Sequence, residues 1–224
     1  QGRAPQIRRV FDAVPSQLDK VNKRFRMDAL KSGAVYDRYA NDFAWLIDAA
    51  VVLPTYQVSE PKRPLRRTAQ ENKFKLYEAD TGLLLSQYAP QTMLDVIADA
   101  PSVNFGSVYE NAVAQALSNE NPDLFYFCSS RKGEVDFIAQ RNDGALVPIE
   151  VKSGKDYKLH TALNNLLGTH DFEIGEACVL SSANVERRER EGKPIWYLPL
   201  YMAFCIAEQT SGTFGSMHLA PPTF

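Results

Sequence analysis

The sequence predicts an α/β protein in two parts: a helical N-terminal part laid out like a winged helix, then a core in the order helix, three strands, helix, strand. Three observations carry that reading. Tyr36, Tyr39, Ala40, Phe43, Leu46 and Ile47 fall at helical spacing, which gathers them on one face. Two apolar runs, Val51 to Val58 and Phe74 to Glu78, enclose a segment rich in proline and arginine. Further on, Gly133 to Ile138 and Val147 to Lys152 flank Arg141-Asn142-Asp143-Gly144, the pattern of two strands joined by a hairpin turn. The two parts span residues 1–100 and 101–208, with a flexible tail over 209–224 where Thr, Ser, Gly and Pro gather.

Taken in order, residues 6–14 and 16–31 are expected to form helices parted at Pro15-Ser16, because proline stops one helix and serine caps the next. A helix over 36–50 follows, and three helices before a two-stranded ribbon make the winged-helix layout. Short helices are expected within 79–104. A helix over 105–119 then precedes strands over 124–129, 134–140 and 146–152, a helix over 157–168, and strands over 177–181 and 195–200. No internal repeat occurs.

The chain has 224 residues, 45% of them hydrophobic, which suffices for one large domain or two small ones. No run nears the roughly 18 to 20 apolar residues needed to cross a bilayer, and no charged-then-apolar leader opens the chain, so a cytoplasmic location is expected. Cys128, Cys178 and Cys205 lie far apart in apolar segments, as reduced core thiols do. The formal net charge of -2 conceals an asymmetry: residues 1–75 carry +7 and the remainder -9. A basic region beside an acidic one suits a phosphate-binding surface next to a metal site. Within 61–75 the basic residues are Lys62, Arg63, Arg66, Arg67, Lys73 and Lys75, against the single acid Glu71. Lys62, Arg63, Arg66 and Arg67 are therefore candidates for gripping a nucleic-acid backbone through its phosphates. A solvated loop fits the same charges equally well.

The chemistry-bearing cluster lies in the second part. Glu134 and Asp136 share one face of their strand, and Glu150 and Lys152 share one face of theirs. With the hairpin centred on Asp143, Asp136 stands opposite Glu150 and Glu134 opposite Lys152. Opposed side chains bring their Cβ atoms within roughly 4.5 to 5.5 Å, where like charges destabilise, so a cation is expected between the two acids. Mg²⁺ or Mn²⁺ suits two carboxylates, water and a phosphate oxygen. It would polarise a phosphoryl group and acidify an attacking water, with Lys152 placed to stabilise the developing charge. The same residues also fit a solvated sheet face on which Lys152 neutralises Glu134. Glu110 borders the apolar stripe of its helix and can reach the end of the sheet; in the alternative, Ser107-x-x-Glu110 is a capping box and Glu110 merely bonds backbone. His160, His170 and His218 make no metal-ligand pair at i, i+4 spacing, and no cysteine has a histidine near it in sequence.

Glu110 on a helix, then Glu134-Val135-Asp136-Phe137, then Ile149-Glu150-Val151-Lys152, resembles the PD-(D/E)XK nuclease superfamily. The resemblance implies Asp136 and Glu150 as metal ligands, Lys152 as catalytic lysine and Glu110 as auxiliary acid; no proline precedes Asp136, a departure from the full motif. Almost the whole chain is also similar to the C-terminal region, a domain of unknown function, of a family of bacterial and archaeal AAA-type ATP-binding proteins. That likeness runs through Val14-Pro15-Ser16-Gln17-Leu18, Asp42-Phe43-Ala44-Trp45-Leu46, Phe74-Lys75-Leu76-Tyr77, Asp80-Thr81-Gly82-Leu83-Leu84, Tyr109-Glu110-Asn111 and Leu198-Pro199-Leu200-Tyr201. It implies an ATP-binding domain upstream in the full-length protein. The chain begins Gln1-Gly2-Arg3 and reads as a fragment of such a protein. No G-x-x-x-x-G-K-[ST] loop occurs in it, so any ATP chemistry belongs to that other domain.

Two functions follow as expectations. One is a divalent-metal-dependent nuclease acting on DNA, with an ATPase domain of the same protein gating or moving the substrate. The other is a catalytically inactive nuclease-like module that binds nucleic acid or protein beside that ATPase domain. A basic part that binds RNA or protein is a third, weaker fit.

Overall fold

Helix α1, Ala4–Leu18, opens the computed structural model, which describes residues 2–100, 103, 105–119, 121 and 123–208. The tail expected over 209–224, and His218 with it, lies outside the described residues. Val10, Val14 and Leu18 recur every fourth residue on α1 and are fully buried, which is what anchors it. The expected break at Pro15 does not occur. Proline stands in the last turns of the helix, where one lost backbone bond is offset by the packing of Val14 and Leu18, and the Ser16 hydroxyl donates to the Ala13 carbonyl at 2.9 Å instead of capping a new helix. No helix continues to residue 31; only a 3₁₀ turn, Met27–Ala29, follows. Helix α2, Tyr36–Asp48, buries Tyr39, Phe43 and Leu46, with the Phe43 ring 5.3 Å from Phe25 and 5.1 Å from Phe74.

Strands β1, Val52–Val58, and β2, Ala69–Glu78, pair antiparallel as the expected ribbon, with β2 starting at Ala69 and not Phe74. The ribbon is not a free wing. The other edge of β1 pairs in parallel with β3, Leu124–Ser129, from Thr55↔Leu124 to Val58↔Phe127. Strand β4, Gly133–Val135, completes a sheet of order β2-β1-β3-β4. Helices α3, Thr81–Ser86, and α4, Pro90–Ile97, fill the connection, and α5, Gly106–Ser118, packs on the sheet through Val113, Ala114 and Leu117.

A second sheet has the order β5-β6-β7-β9-β8. Its strands are β5, Phe137–Gln140, β6, Leu146–Val151, β7, Ala177–Ser181, β8, Glu186–Arg190, and β9, Lys193–Pro199. Helix α6, Thr161–Leu167, covers one face, and a short helix α7, Cys205–Glu208, ends the described chain. The architecture is thus mixed α/β, with helices around two mixed sheets. The strand expected over 134–140 is interrupted at Asp136: β4 pairs with β3, whereas β5 pairs with β6. Asp136 therefore sits at the bend where the chain passes from one sheet to the other. One apolar cluster runs from Val10 and Leu18 through Leu76, Val113, Phe137 and Ile149 to Leu198 and Ile206, so both parts of the chain pack on a common core. The three cysteines are free thiols. Among the described residues no helix is long and apolar enough to cross a membrane.

Candidate active site

The β5–β6 hairpin has the register that a turn centred on Asp143 dictates, from Phe137↔Ile149 to Gln140↔Leu146. Asp136 lies just before that ladder, at the bend that precedes β5, close enough for its charge to bear on Glu150. The Asp136 Oδ2 accepts the backbone N–H of Val151 at 2.9 Å, which orients the carboxylate across the strands. Glu150, nearly buried on β6, accepts from Lys152 Nζ through Oε1 at 2.8 Å. Its other oxygen, Oε2, is buried with no hydrogen-bond partner. Lys152 keeps its backbone N–H on the Leu180 carbonyl at 2.8 Å, extending β6 toward β7, while its side chain is 28% exposed.

Glu110 enters from α5 and is 4% exposed. Its Oε2 accepts from the Tyr77 hydroxyl at 2.9 Å, and its Oε1 from Lys23 Nζ. The capping box is not formed: Ser107 lies inside α5, its hydroxyl 3.2 Å from that of Tyr88. The solvated sheet face is not formed either, because Lys152 pairs with Glu150, and Glu134 takes another lysine.

That lysine is Lys75, from the end of the basic 61–75 segment. Its Nζ lies 2.7 Å from Glu134 Oε1, 3.4 Å from Asp136 Oδ1 and 3.7 Å from Glu110 Oε2, and 5.0 Å from the centre of the Tyr126 ring. The side chain has no exposure at all. Lys75 and Tyr77 share the face of β2 that meets α5, a pairing visible in the alternation Lys75-Leu76-Tyr77 once that segment is read as a strand through a core. Burial works against its charge, but Tyr77, Glu110, Asp136 and Glu134 outweigh burial and raise Lys75 well above the usual lysine range. Burial, then the nearby Asp136 charge, push Glu150 up to about 7 and raise Glu110 as well. Four carboxylates, Glu110, Glu134, Asp136 and Glu150, thus face three ammonium groups, Lys23, Lys75 and Lys152. Lys152 pairs with Glu150 and Lys23 with Glu110, which leaves Lys75 shared among Glu110, Glu134 and Asp136.

The basic loop is elsewhere. Arg63 pairs with Glu173 at 3.1 Å, Lys62 with Glu60 at 3.5 Å, and Arg66 grips both oxygens of Asp123; Arg67 is exposed. A Cβ on Gly144 would lie 2.8 Å from an Arg63 terminal nitrogen, so the loop rests on the closed end of the hairpin. Asp136 is four residues back along the strand from Gln140, the last paired residue at that end, or about 13 Å. The loop and the carboxylates are therefore not one site. His160 is buried against the Tyr197 hydroxyl at 2.7 Å, and His170 is exposed.

Residues 105–201 match the family model described as Domain of unknown function (DUF4143), and residues 1–92 match the one described as Domain of unknown function (DUF8612). No curated protein and no solved structure matches the chain. The carboxylates and Lys152 fall within the first match, and Lys23, Lys75 and Tyr77 within the second.

Proposed function

We propose that this chain hydrolyses phosphodiester bonds in DNA with one divalent cation, Mg²⁺ or Mn²⁺, held by Asp136 and Glu150. The observation that carries the reading is the buried, unpartnered Oε2 of Glu150, on the strand whose next residue, Val151, donates its backbone N–H to Asp136. Two neighbouring carboxylates, one of them with its proton affinity raised, fit a hard cation. Mg²⁺ characteristically takes one or two protein carboxylates and completes its shell with water and substrate phosphate; among the described residues no group of three His, Cys, Asp or Glu side chains is arranged to hold a metal ion. Bound there, the ion would polarise the phosphoryl group and acidify a water.

The chain's own residues supply the rest. Asp136, tied to the Val151 N–H and to Lys75, is a ligand with little freedom to turn away. Lys152, partly exposed, is placed to meet a phosphate oxygen and stabilise charge that grows in the transition state. Glu110 has its oxygens turned to Tyr77, Lys23 and Lys75 and acts as a positioning residue. The resemblance to PD-(D/E)XK nucleases supports the assignment. The winged-helix-like layout survives in this reading only as an order of elements, with Lys62, Arg63, Arg66 and Arg67 a separate surface for the DNA backbone. Because DUF4143 is commonly associated with AAA-type ATPases, an ATPase domain of the same full-length protein is the proposed partner.

Plasmid, linear and single-stranded DNA incubated with the protein in Mg²⁺ or Mn²⁺ test this directly. Wild type is expected to cleave, and Asp136→Ala to lose at least a hundredfold. Lys152→Ala is expected to lose cleavage while Mn²⁺ still raises its melting temperature, since both ligands remain. The second reading, a nuclease-shaped binding module, is favoured by the way Lys75 fills the centre of three of the carboxylates. It replaces the first if wild type neither cleaves nor gains stability in millimolar Mn²⁺.

A further inference from the structure

The geometry points to Lys75 as a built-in cation standing where a second divalent ion would otherwise sit, so that the site takes one ion and not two. The inference rests on the reading of Asp136 and Glu150 as ligands and deepens it. Metal-dependent phosphoryl-transfer sites with two ions hold them about 3.5 to 4 Å apart, with the attacking and leaving oxygens between them. Asp136 is the residue here that could bridge such a pair. Its Oδ2 is on the Glu150 strand, on the Val151 N–H, and its Oδ1 looks the other way, toward Lys75. On that far side two more carboxylates converge on one point, Glu134 at 2.7 Å and Glu110 at 3.7 Å from it. The point is occupied by an ammonium group with no exposure to water.

A lysine is chemically distinct from an ion in this position. Its charge cannot dissociate when the metal concentration falls, so Glu110, Glu134 and Asp136 stay together in the absence of divalent cations. Its hydrogen bonds of 2.7 to 3.4 Å are too long for Mg²⁺, which needs oxygens at about 2.0 to 2.1 Å. A second ion beside the ammonium would meet strong repulsion at buried separations of a few ångströms. Lys75 also comes from the N-terminal match and the acids from the C-terminal one, so one part of the chain sets how many ions the other can hold.

The experiment is Mn²⁺ titration of the full chain by calorimetry, with electron paramagnetic resonance of the bound ions, on wild type, Lys75→Gln and Lys75→Arg. Wild type is expected to bind one magnetically isolated ion and Lys75→Arg the same number. Lys75→Gln is expected to bind one more, with the spectrum of a coupled pair. If Lys75→Gln is unfolded in chelator, millimolar Mn²⁺ is expected to restore a cooperative melt, which a lysine with a merely structural role would not allow. Two ions in wild type, or a Lys75→Gln protein that gains no ion and is not rescued by Mn²⁺, overturns the inference while leaving the Asp136 and Glu150 site standing. No ion in wild type but one in Lys75→Gln does the reverse: it removes the proposed function and keeps the role of Lys75.

Discussion

Glu78 shows what a buried carboxylate costs where no cation reaches it. It closes β2 with no exposure; Gln87 donates to its Oε1 at 2.7 Å, and its Oε2 is buried without a hydrogen bond. Burial pushes it from 4.5 up to about 7, and the Gln87 contact only partly opposes that. The sign of the linkage follows. A folded-state value above the unfolded one means that the folded protein holds the proton more tightly, so stability falls as pH rises from about 4.5 to about 7 and stays reduced above it. Glu78→Gln removes the charge and keeps an acceptor for Gln87. Thermal melts are expected to show the variant more stable than wild type at pH 8, by about 1 to 3 kcal/mol, and equal to it near pH 4.5. A difference that does not change with pH would show that burial of this charge is not the cause. Lys75 is the contrary case: equally buried, but surrounded by acids, it is held charged and has a place in the site.

At the scale of elements, β8 is the most instructive. Glu186-Arg187-Arg188-Glu189-Arg190 contains no apolar residue, yet it pairs along β9 from Glu186↔Tyr197 to Arg190↔Lys193. Glu191 and Gly192, at φ +53° and +70°, form the tight turn whose twist suits a hairpin. Its side chains need no core, because it is the outer strand of its sheet, and the Arg187 and Arg188 guanidinium groups lie 5.7 and 5.8 Å from the Trp196 and Tyr197 ring centres. Such charges also keep an open strand edge from pairing with a second chain. Arg188→Val combined with Arg190→Val is therefore expected to leave the melting temperature within a few degrees and to cause concentration-dependent association in sedimentation velocity; a variant that stays monomeric would rule out a protective role. The same strand marks what the sequence could tell. Buried strands such as β3 and β7 were readable because their apolar runs are short and bounded, and the β5–β6 register from Phe137↔Ile149 to Gln140↔Leu146 follows from the turn at Asp143. Strand β8, the uninterrupted α1 and the break at Asp136 depend on pairings and packing between distant segments, which local patterns do not carry. Lys75 was invisible as a site residue for the same reason: its partners lie 35 to 61 positions away.

Over the whole molecule, part of the charge asymmetry of the sequence is met by ion pairs between its basic and acidic regions. Lys23 and Lys75 reach Glu110, Glu134 and Asp136; Arg63 reaches Glu173 and Arg66 reaches Asp123. Each pair joins the basic N-terminal part to the acidic C-terminal one. The joint is apolar too: β1 lies beside β3 in one sheet, and the Tyr77 ring is 5.6 Å from Phe137. These contacts decide what happens if the two regions with separate family matches are taken apart. Residues 105–208 made alone would lose the strand beside β3 and uncover Phe137, and would leave Glu110, Glu134 and Asp136 without Lys75 or Lys23. Removing one partner of a buried ion pair costs about 3 to 5 kcal/mol, and an exposed strand edge invites pairing between chains. Against a net stability on the order of 5 to 15 kcal/mol, those losses are large enough to unfold the region. The truncated protein is expected to aggregate or to melt without cooperativity, whereas the full chain gives a single transition, and calorimetry with size-exclusion chromatography distinguishes the two. Should residues 105–208 instead form a monomer with a sharp melt, the two parts do not depend on their common core. The lysines of the N-terminal part would then be accessories to the carboxylate cluster and not members of it.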